Sequence, residues 1–245
     1  NANITPVVPE FGSLGCSGDL APLSHCALAM MGEGAVIDSD GKIVDSLVAM
    51  KKAGINPIEL KEKEGLALIN GTDGMLGMLI MALADLRNLT LSADITTALS
   101  IEGLLGTDRV FAPDLHAGLR NQVGQATSAA NLYALLKGSE IVASHFEGDT
   151  RVQDAYSLRC APQVNGAVRD IIDYATTIAE RELSSAIDNP VVLPDGRVES
   201  NGNFHGAPVA YVLDFLAIAL ADLGSMSERR TDRMLDRARS AGLPP

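Results

Sequence analysis

Apolar residues recur with helical spacing along most of the chain. Gly65–Arg87, Ser92–Leu105, Leu115–Lys137, Asn165–Leu183 and Ala207–Met234 each show the three-and-four pattern of a helix face. In Val209–Leu223 the apolar positions go nearly all round. A helix of that kind is buried on every side, within a large bundle or against partner subunits. Two short segments read differently. In Gly34–Ser46, Val36, Ile43 and Val44 flank an Asp40-Gly41 turn, the pattern of a hairpin. Asn189–Ser200 repeats that logic around Asp195-Gly196. The chain opens as a Pro- and Gly-rich loop and turns helical near Ala21–Met31. The expected fold is all-α, a long-helix bundle over 65–235 with small β-hairpins, in a single domain covering 1–245.

Composition sharpens this. Apolar residues make up 47% of 245, aromatics only 4%, and there is no Trp. Aliphatic side chains must therefore fill the core, which suits packed helices. The net charge of −12 repels phosphate backbones and anionic lipid. No nucleic acid and no membrane partner is expected, and the chain reads as an acidic cytoplasmic protein. The apolar stretches Leu66–Leu83 and Gly206–Leu223 contain Asn70, Asp73, Asp214 and Asp222, which favours core helices over spans. Cys16, Cys26 and Cys160 form no metal-binding spacing. His25, His116, His145 and His205 show neither HxxxH nor HExxH, so no metal is expected. The first residues lack an initiator Met and the last follow directly on a helix, which suggests the central part of a longer polypeptide.

The segment richest in candidate chemistry is GSLGCSGDLAPLSH, Gly12–His25. Its glycines permit a tight backbone. A phosphate cradle is a weak reading, because there is no Lys and no GxGxxG spacing. The whole string resembles the loop of the histidine and phenylalanine ammonia-lyase family. In that family an Ala-Ser-Gly tripeptide cyclises unaided into a methylidene-imidazolone (MIO). The matching residues here are Cys16, Ser17 and Gly18. Residue 16 contributes only its carbonyl carbon, so Cys in place of Ala is tolerated.

Further strings match in order. EGLALINGT carries Asn70, which the resemblance makes an active-site residue beside the MIO. Asp73 stands where Gln or Ala is common, and the resemblance gives it no role. RVQDAYSLRCAPQVNG carries Gln153, Tyr156 and Arg159, whose spacing of three puts them on one helical face. A solvated polar face is the ordinary meaning of that pattern. The resemblance implies instead that Arg159 pairs with the substrate carboxylate, while Gln153 and Tyr156 line the site. AIDNPVV and SNGNFHG supply Asn189, near the carboxylate, and Phe204, beside the MIO. His205 is expected to be a structural hydrogen-bonding residue.

The resemblance runs from Val8 to Pro245. It implies an elimination of ammonia from L-histidine to give trans-urocanate, an MIO cofactor formed from Cys16-Ser17-Gly18, and a homotetramer. It also implies that a catalytic Tyr and a substrate-contacting His lie upstream of Asn1 and an imidazole-recognising Glu downstream of Pro245. The isolated segment is therefore expected to be inactive. SLRCAPQV and SNGNFHG favour histidine over phenylalanine or tyrosine, whose lyases or aminomutases are the alternative. An alternative of another class is an inactive truncated homologue serving as a helical assembly module.

Overall fold

The computed structural model describes residues 2–116 and 118–244. They form two compact units, Asn1–Ile80 with Ala179–Ala210, and Met81–Ile178 with Tyr211–Pro245.

The first unit begins with a three-stranded antiparallel sheet, β1 (Thr5–Pro6), β2 (Ala35–Ile37) and β3 (Ile43–Asp45), in that spatial order. β2 and β3 form the expected hairpin, with Val36 opposite Val44 and Gly41 at φ 76° in the turn. The sequence reading missed β1, because a two-residue edge strand containing Pro carries no alternating pattern. α1 (Leu20–Met30) and α2 (Ser46–Lys52) pack on this sheet. Ala29, Val36 and Ala49 are the buried centre, with Ile4 and Val44 against them. The N-terminus of α2 is capped by Asp45, which accepts the Val48 N–H, and Lys51 and Lys52 face the negative end of its dipole. Ser46 donates to the Ala29 carbonyl at 2.6 Å, tying α2 to α1. The unit also contains the short α3 (Glu64–Ala67) and the expected second hairpin, β4 (Val191–Val192) with β5 (Val198–Glu199).

Long helices supply the rest. α4 (Asp73–Gly103) is one helix where the pattern predicts two. The polar break near residues 88–92 is absorbed because Thr90 and Ser92 donate to the Arg87 and Asn88 carbonyls, each at 3.0 Å, keeping their hydroxyls within the helix. At its start the helix is shorter than predicted, since residues 68–72 unwind. α5 (Val123–Leu136) is likewise shorter than the expected Leu115–Lys137. Gly118 has φ 77°, and the residues before it form two 3-10 turns. Ala117, within that predicted helix, lies outside the described residues. α6 (Glu140–Ser144), α7 (Tyr156–Arg159), α8 (Ala161–Leu183) and α9 (Ala207–Leu235) complete the order.

The core of the second unit gathers Ile101, Leu104, Phe111, Leu132, Leu136 and Leu158. Beside it Asp94 is fully buried and accepts from Ser128 Oγ at 2.5 Å, Asn131 Nδ2 and Asn165 Nδ2 at 2.9 Å, and Arg169 Nη2 at 2.6 Å. A buried carboxylate is tolerable only when satisfied in this way. His116 donates from Nε2 to the Val110 carbonyl at 2.9 Å, and its Nδ1 lies 3.1 Å from Gln125 Nε2, so both ring nitrogens have a partner.

Within this chain only part of the burial that the α9 sequence predicts is met. Val212, Leu216, Ala219 and Leu223 are buried, whereas Tyr211 is 75% and Ile218 67% exposed. This chain covers one face and leaves the other open. By length and composition alone, α4 and α9 could cross a bilayer. Each carries carboxylates along its length, Asp85 and Asp94 in α4 and Asp214 and Asp222 in α9, which hydrocarbon would penalise.

Candidate active site

The Gly12–Asp19 loop is closed by its last residue. Asp19, 6% exposed, accepts the Leu14 N–H at 2.9 Å and the Ser13 hydroxyl. Ser13 Oγ in turn accepts the Gly15 N–H at 3.1 Å. The Ser13 hydroxyl above all, helped by the Leu14 N–H, holds the Asp19 carboxyl below the usual carboxylate value, against the burial that would raise it. Within this clasp Cys16 is exposed and Ser17 half-buried.

Gly18 is where the loop meets the rest of the unit. It has φ 64°, a left-handed conformation that disfavours any side chain. Its N–H donates to the Gly71 carbonyl at 2.7 Å. A Cβ on Gly18 would lie 2.9 Å from Asn70 Oδ1, so glycine is required on two counts. Asn70 is turned that way because its Nδ2 donates to the Asn189 carbonyl at 3.2 Å. The Asp188–Pro190 turn is held in place by Lys63, whose ammonium contacts the Asp188 carboxylate and the Pro190 carbonyl.

The Asn189 side chain points elsewhere. Its Oδ1 accepts the Asn201 N–H at 2.8 Å and the Ser200 hydroxyl at 3.3 Å. Contact with a ligand would have to come from Nδ2, while the backbone carbonyl serves Asn70. Phe204 is half-buried in the turn before α9. His205 accepts the Ala207 N–H through Nδ1 at 3.2 Å, a hydrogen bond that steadies the start of α9. A Cβ on Gly206 would come 3.4 Å from Ser17 Cβ and 2.8 Å from Met75 Sδ. Glycine at 206 leaves that flank of Ser17 uncovered. Sequence reading missed Gly71, Met75 and Gly206. The only signal was a glycine directly after each motif residue that drew attention, in INGT and FHGA.

Gln153, Tyr156 and Arg159 belong to the second unit. Arg159 Cζ stacks 4.4 Å from the Tyr156 ring centroid, and its Nε donates to the Asp154 carbonyl at 2.9 Å. Both Nη groups remain as a fork. The expected single helical face does not form, because α7 starts only at Tyr156 and Gln153 lies exposed in the irregular run before it. Asp154 causes this: it is turned inward, 8% exposed, and accepts the Thr107 N–H at 2.8 Å. Among the described residues no group of three or more His, Cys, Asp or Glu side chains is arranged to hold a metal ion.

Fold and loop together define a long-helix protein whose candidate chemistry sits in a glycine-tight backbone turn rather than in a side-chain cluster. The chain matches the aromatic amino acid lyase family over residues 1–245 and belongs to it. It is 69% identical over 245 residues to the histidine ammonia-lyase of Streptomyces avermitilis, covering 100% of this chain and 48% of that protein. Among solved structures, tyrosine aminomutase from Streptomyces globisporus superposes with a TM-score of 0.85 at 41% identity, covering 100% of this chain and 49% of that one. Histidine ammonia-lyase from Trypanosoma cruzi gives 0.80 at 41% identity, over 98% of this chain and 44% of that one. The chain thus spans about half the length of the relatives it matches, and the expected all-α, long-helix fold with small hairpins is the fold these structures share.

Proposed function

We propose that the whole protein is a histidine ammonia-lyase, converting L-histidine to trans-urocanate and ammonia. The observation that carries this reading is the uninterrupted Cys16-Ser17-Gly18 turn, held at Gly18 by Asn70 and Gly71, in a chain 69% identical to a histidine ammonia-lyase. The tripeptide suits an MIO: its closing residue is a glycine in a left-handed turn, and Gly206 leaves the flank of Ser17 Cβ free. Once formed, an MIO supplies an electrophilic methylene at the carbon that is Ser17 Cβ, chemistry no ordinary side chain offers.

The remaining roles belong to side chains of this chain. Arg159, with Nε committed to the Asp154 carbonyl and its guanidinium over the Tyr156 ring, presents two parallel Nη donors to a carboxylate. The resemblance to the family assigns Tyr156 and Gln153 to the lining of the site, Asn189, through its Nδ2, to the neighbourhood of the carboxylate, and Phe204 to a place beside the MIO. Asn70 keeps its carbonyl oxygen on Gly18 because its amide is anchored on Asn189. The protein works in the cytoplasm as a homotetramer. Supporting this, α4 and α9 expose apolar side chains such as Met78, Leu99, Tyr211 and Ile218 that a second copy would cover.

A tyrosine or phenylalanine lyase or aminomutase is the neighbouring reading, favoured by the likeness to tyrosine aminomutase. The higher identity to a histidine enzyme and the SLRCAPQV and SNGNFHG strings weigh against it. Ser17→Ala in the full-length protein decides the proposal. It should abolish ammonia release from histidine and the loss of two waters, about 36 Da, that accompanies MIO formation. Undiminished turnover by Ser17→Ala would sink the assignment.

A further inference from the structure

The hydrogen bond from Gly18 to Gly71 has a peculiar status. Ring closure consumes the Gly18 N–H, so this 2.7 Å contact can exist only in the uncyclised chain. It belongs to the precursor. The geometry points to the Gly71 carbonyl as the positioning group for cyclisation, with the Asp73 carboxylate occupying the space that a side chain at residue 71 would take. This inference rests on the MIO reading of Cys16-Ser17-Gly18 and deepens it.

The chemistry balances without any oxidant. The Gly18 nitrogen bonds to the Cys16 carbonyl carbon, and the carbonyl π pair moves onto oxygen. That oxygen takes the Gly18 proton and then leaves as water with the proton from the Ser17 nitrogen, leaving a C=N bond. A second water takes the Ser17 hydroxyl and its α-hydrogen, leaving the exocyclic methylene. The difficult part is the first bond, because an amide nitrogen is a poor nucleophile. Its lone pair stands perpendicular to the peptide plane, whereas its N–H lies in that plane. Tethering the N–H to a fixed carbonyl therefore sets where the lone pair points. As the nitrogen attacks it becomes positive, and an acceptor already in place stabilises that charge without having to reorganise.

The acceptor is fixed on every side. Gly71 is buried, and Thr72 next to it donates to Glu182 at 2.6 Å. Asn70 presses on Gly18 from the other direction, its own amide held by Asn189. Gly71 has no left-handed φ, so its backbone conformation does not call for glycine. Space does: a Cβ at 71 would lie 2.3 Å from Asp73 Oδ2 and 3.8 Å from Ile187 Cγ2. The Asp73 carboxylate ends an exposed side chain and can swing clear of a methyl group, so the crowding acts on branched side chains, which also meet Ile187 and must displace the carboxylate or the carbonyl that holds Gly18. This also gives Asp73, otherwise without a role, a place in the machinery.

Intact-mass measurement on folded, full-length protein purified soon after synthesis tests this, with Gly71→Val beside Gly71→Val/Asp73→Ala. Wild type should have lost two waters, about 36 Da. Gly71→Val should remain mostly at precursor mass, cyclising at least about tenfold more slowly, as expected for a misplaced reacting group. The double variant, with room restored, should move back toward wild type, which a general folding defect would not do. Hydrogen exchange on the Ser17→Ala protein gives a readout independent of those variants: the Gly18 amide should exchange at least about tenfold more slowly than that of Gly12 in the exposed loop. Two waters lost by Gly71→Val at the wild-type rate, or an unprotected Gly18 amide, would overturn the inference alone. Full precursor mass in wild type would overturn it together with the MIO reading.

Discussion

Gly166 on α8 lies against Gly124 on α5 so closely that a methyl group on Gly124 would sit 2.1 Å from the Gly166 carbonyl oxygen, and one on Gly166 2.2 Å from the Gln125 nitrogen. The Gly124 N–H also donates to Asp170 at 2.8 Å. Both helices approach backbone to backbone, where no side chain can yield. Gly166→Ala should destabilise the protein by about 3 kcal/mol, the upper range for overpacking. Gly224, in α9, has nothing within 4 Å of its Cβ position, and Gly224→Ala should be neutral or stabilise by up to about 1 kcal/mol. Denaturant midpoints of the two variants check the contrast.

Asp94 supports four donors from α5 and α8, so its removal leaves three neutral donors without this acceptor and the Arg169 guanidinium without its counter-charge, with only the Thr90 carbonyl at 3.1 Å to accept from it. Asp94→Ala should cost about 3–5 kcal/mol. The loss should be strongly non-additive with Arg169→Met, because the second substitution removes the charge that the first leaves unpaired. A double-mutant cycle by chemical unfolding measures that coupling.

Much of this fold could be read from the sequence. The hairpins were legible because Asp-Gly turns between β-branched residues are local signals, and α9 because its period is long and uninterrupted. The single helix α4 was not, since Thr90 and Ser92 look like a break until their hydroxyls are seen bonded within the helix. The sequence marked candidates where a motif residue could act through its side chain, as with Asn70 and Arg159. It was illegible where the backbone acts. Nothing in INGT says that the Gly71 carbonyl accepts from Gly18, and nothing in SNGN says that Asn189 spends its Oδ1 on Asn201.

Asp19 should make the loop acid-sensitive. Its folded pKa is depressed, so its contribution to stability is present above the unfolded carboxylate value of about 3.9 and lost as pH falls through the lower folded one. Asp19→Asn should therefore be less stable than wild type at neutral pH. Unfolding curves recorded across pH should show the difference shrinking below about pH 4, and a gap that persists unchanged in strong acid would contradict the clasp.

Arg159 faces a sharper requirement than charge. Its stack on Tyr156 and its Nε bond to Asp154 fix the plane of the fork. Arg159→Lys keeps the charge and loses the plane, so KM should rise and kcat fall together, for a total loss of about 2–3 kcal/mol. Histidinol, which lacks the carboxylate, should bind both proteins about equally. Steady-state kinetics with histidine and inhibition by histidinol separate orientation from attraction.

The first turn of α4 carries a consequence of its own. It rests on the Leu76 N–H to Thr72 carbonyl bond at 2.9 Å and on the Thr72–Glu182 contact. Helix ends open and close thermally. Each opening here slackens the Asn70–Gly71 peptide against which Gly18 is held. If Gly18 cyclises as proposed, a new chain would mature only in the intervals when that end is shut, and a reversible fluctuation would set the pace of an irreversible covalent event. Warming speeds the bond-making but shortens those intervals. Maturation should accordingly pass through a fastest temperature well below the melting point, and a chain made above it would fold yet stay chemically unfinished.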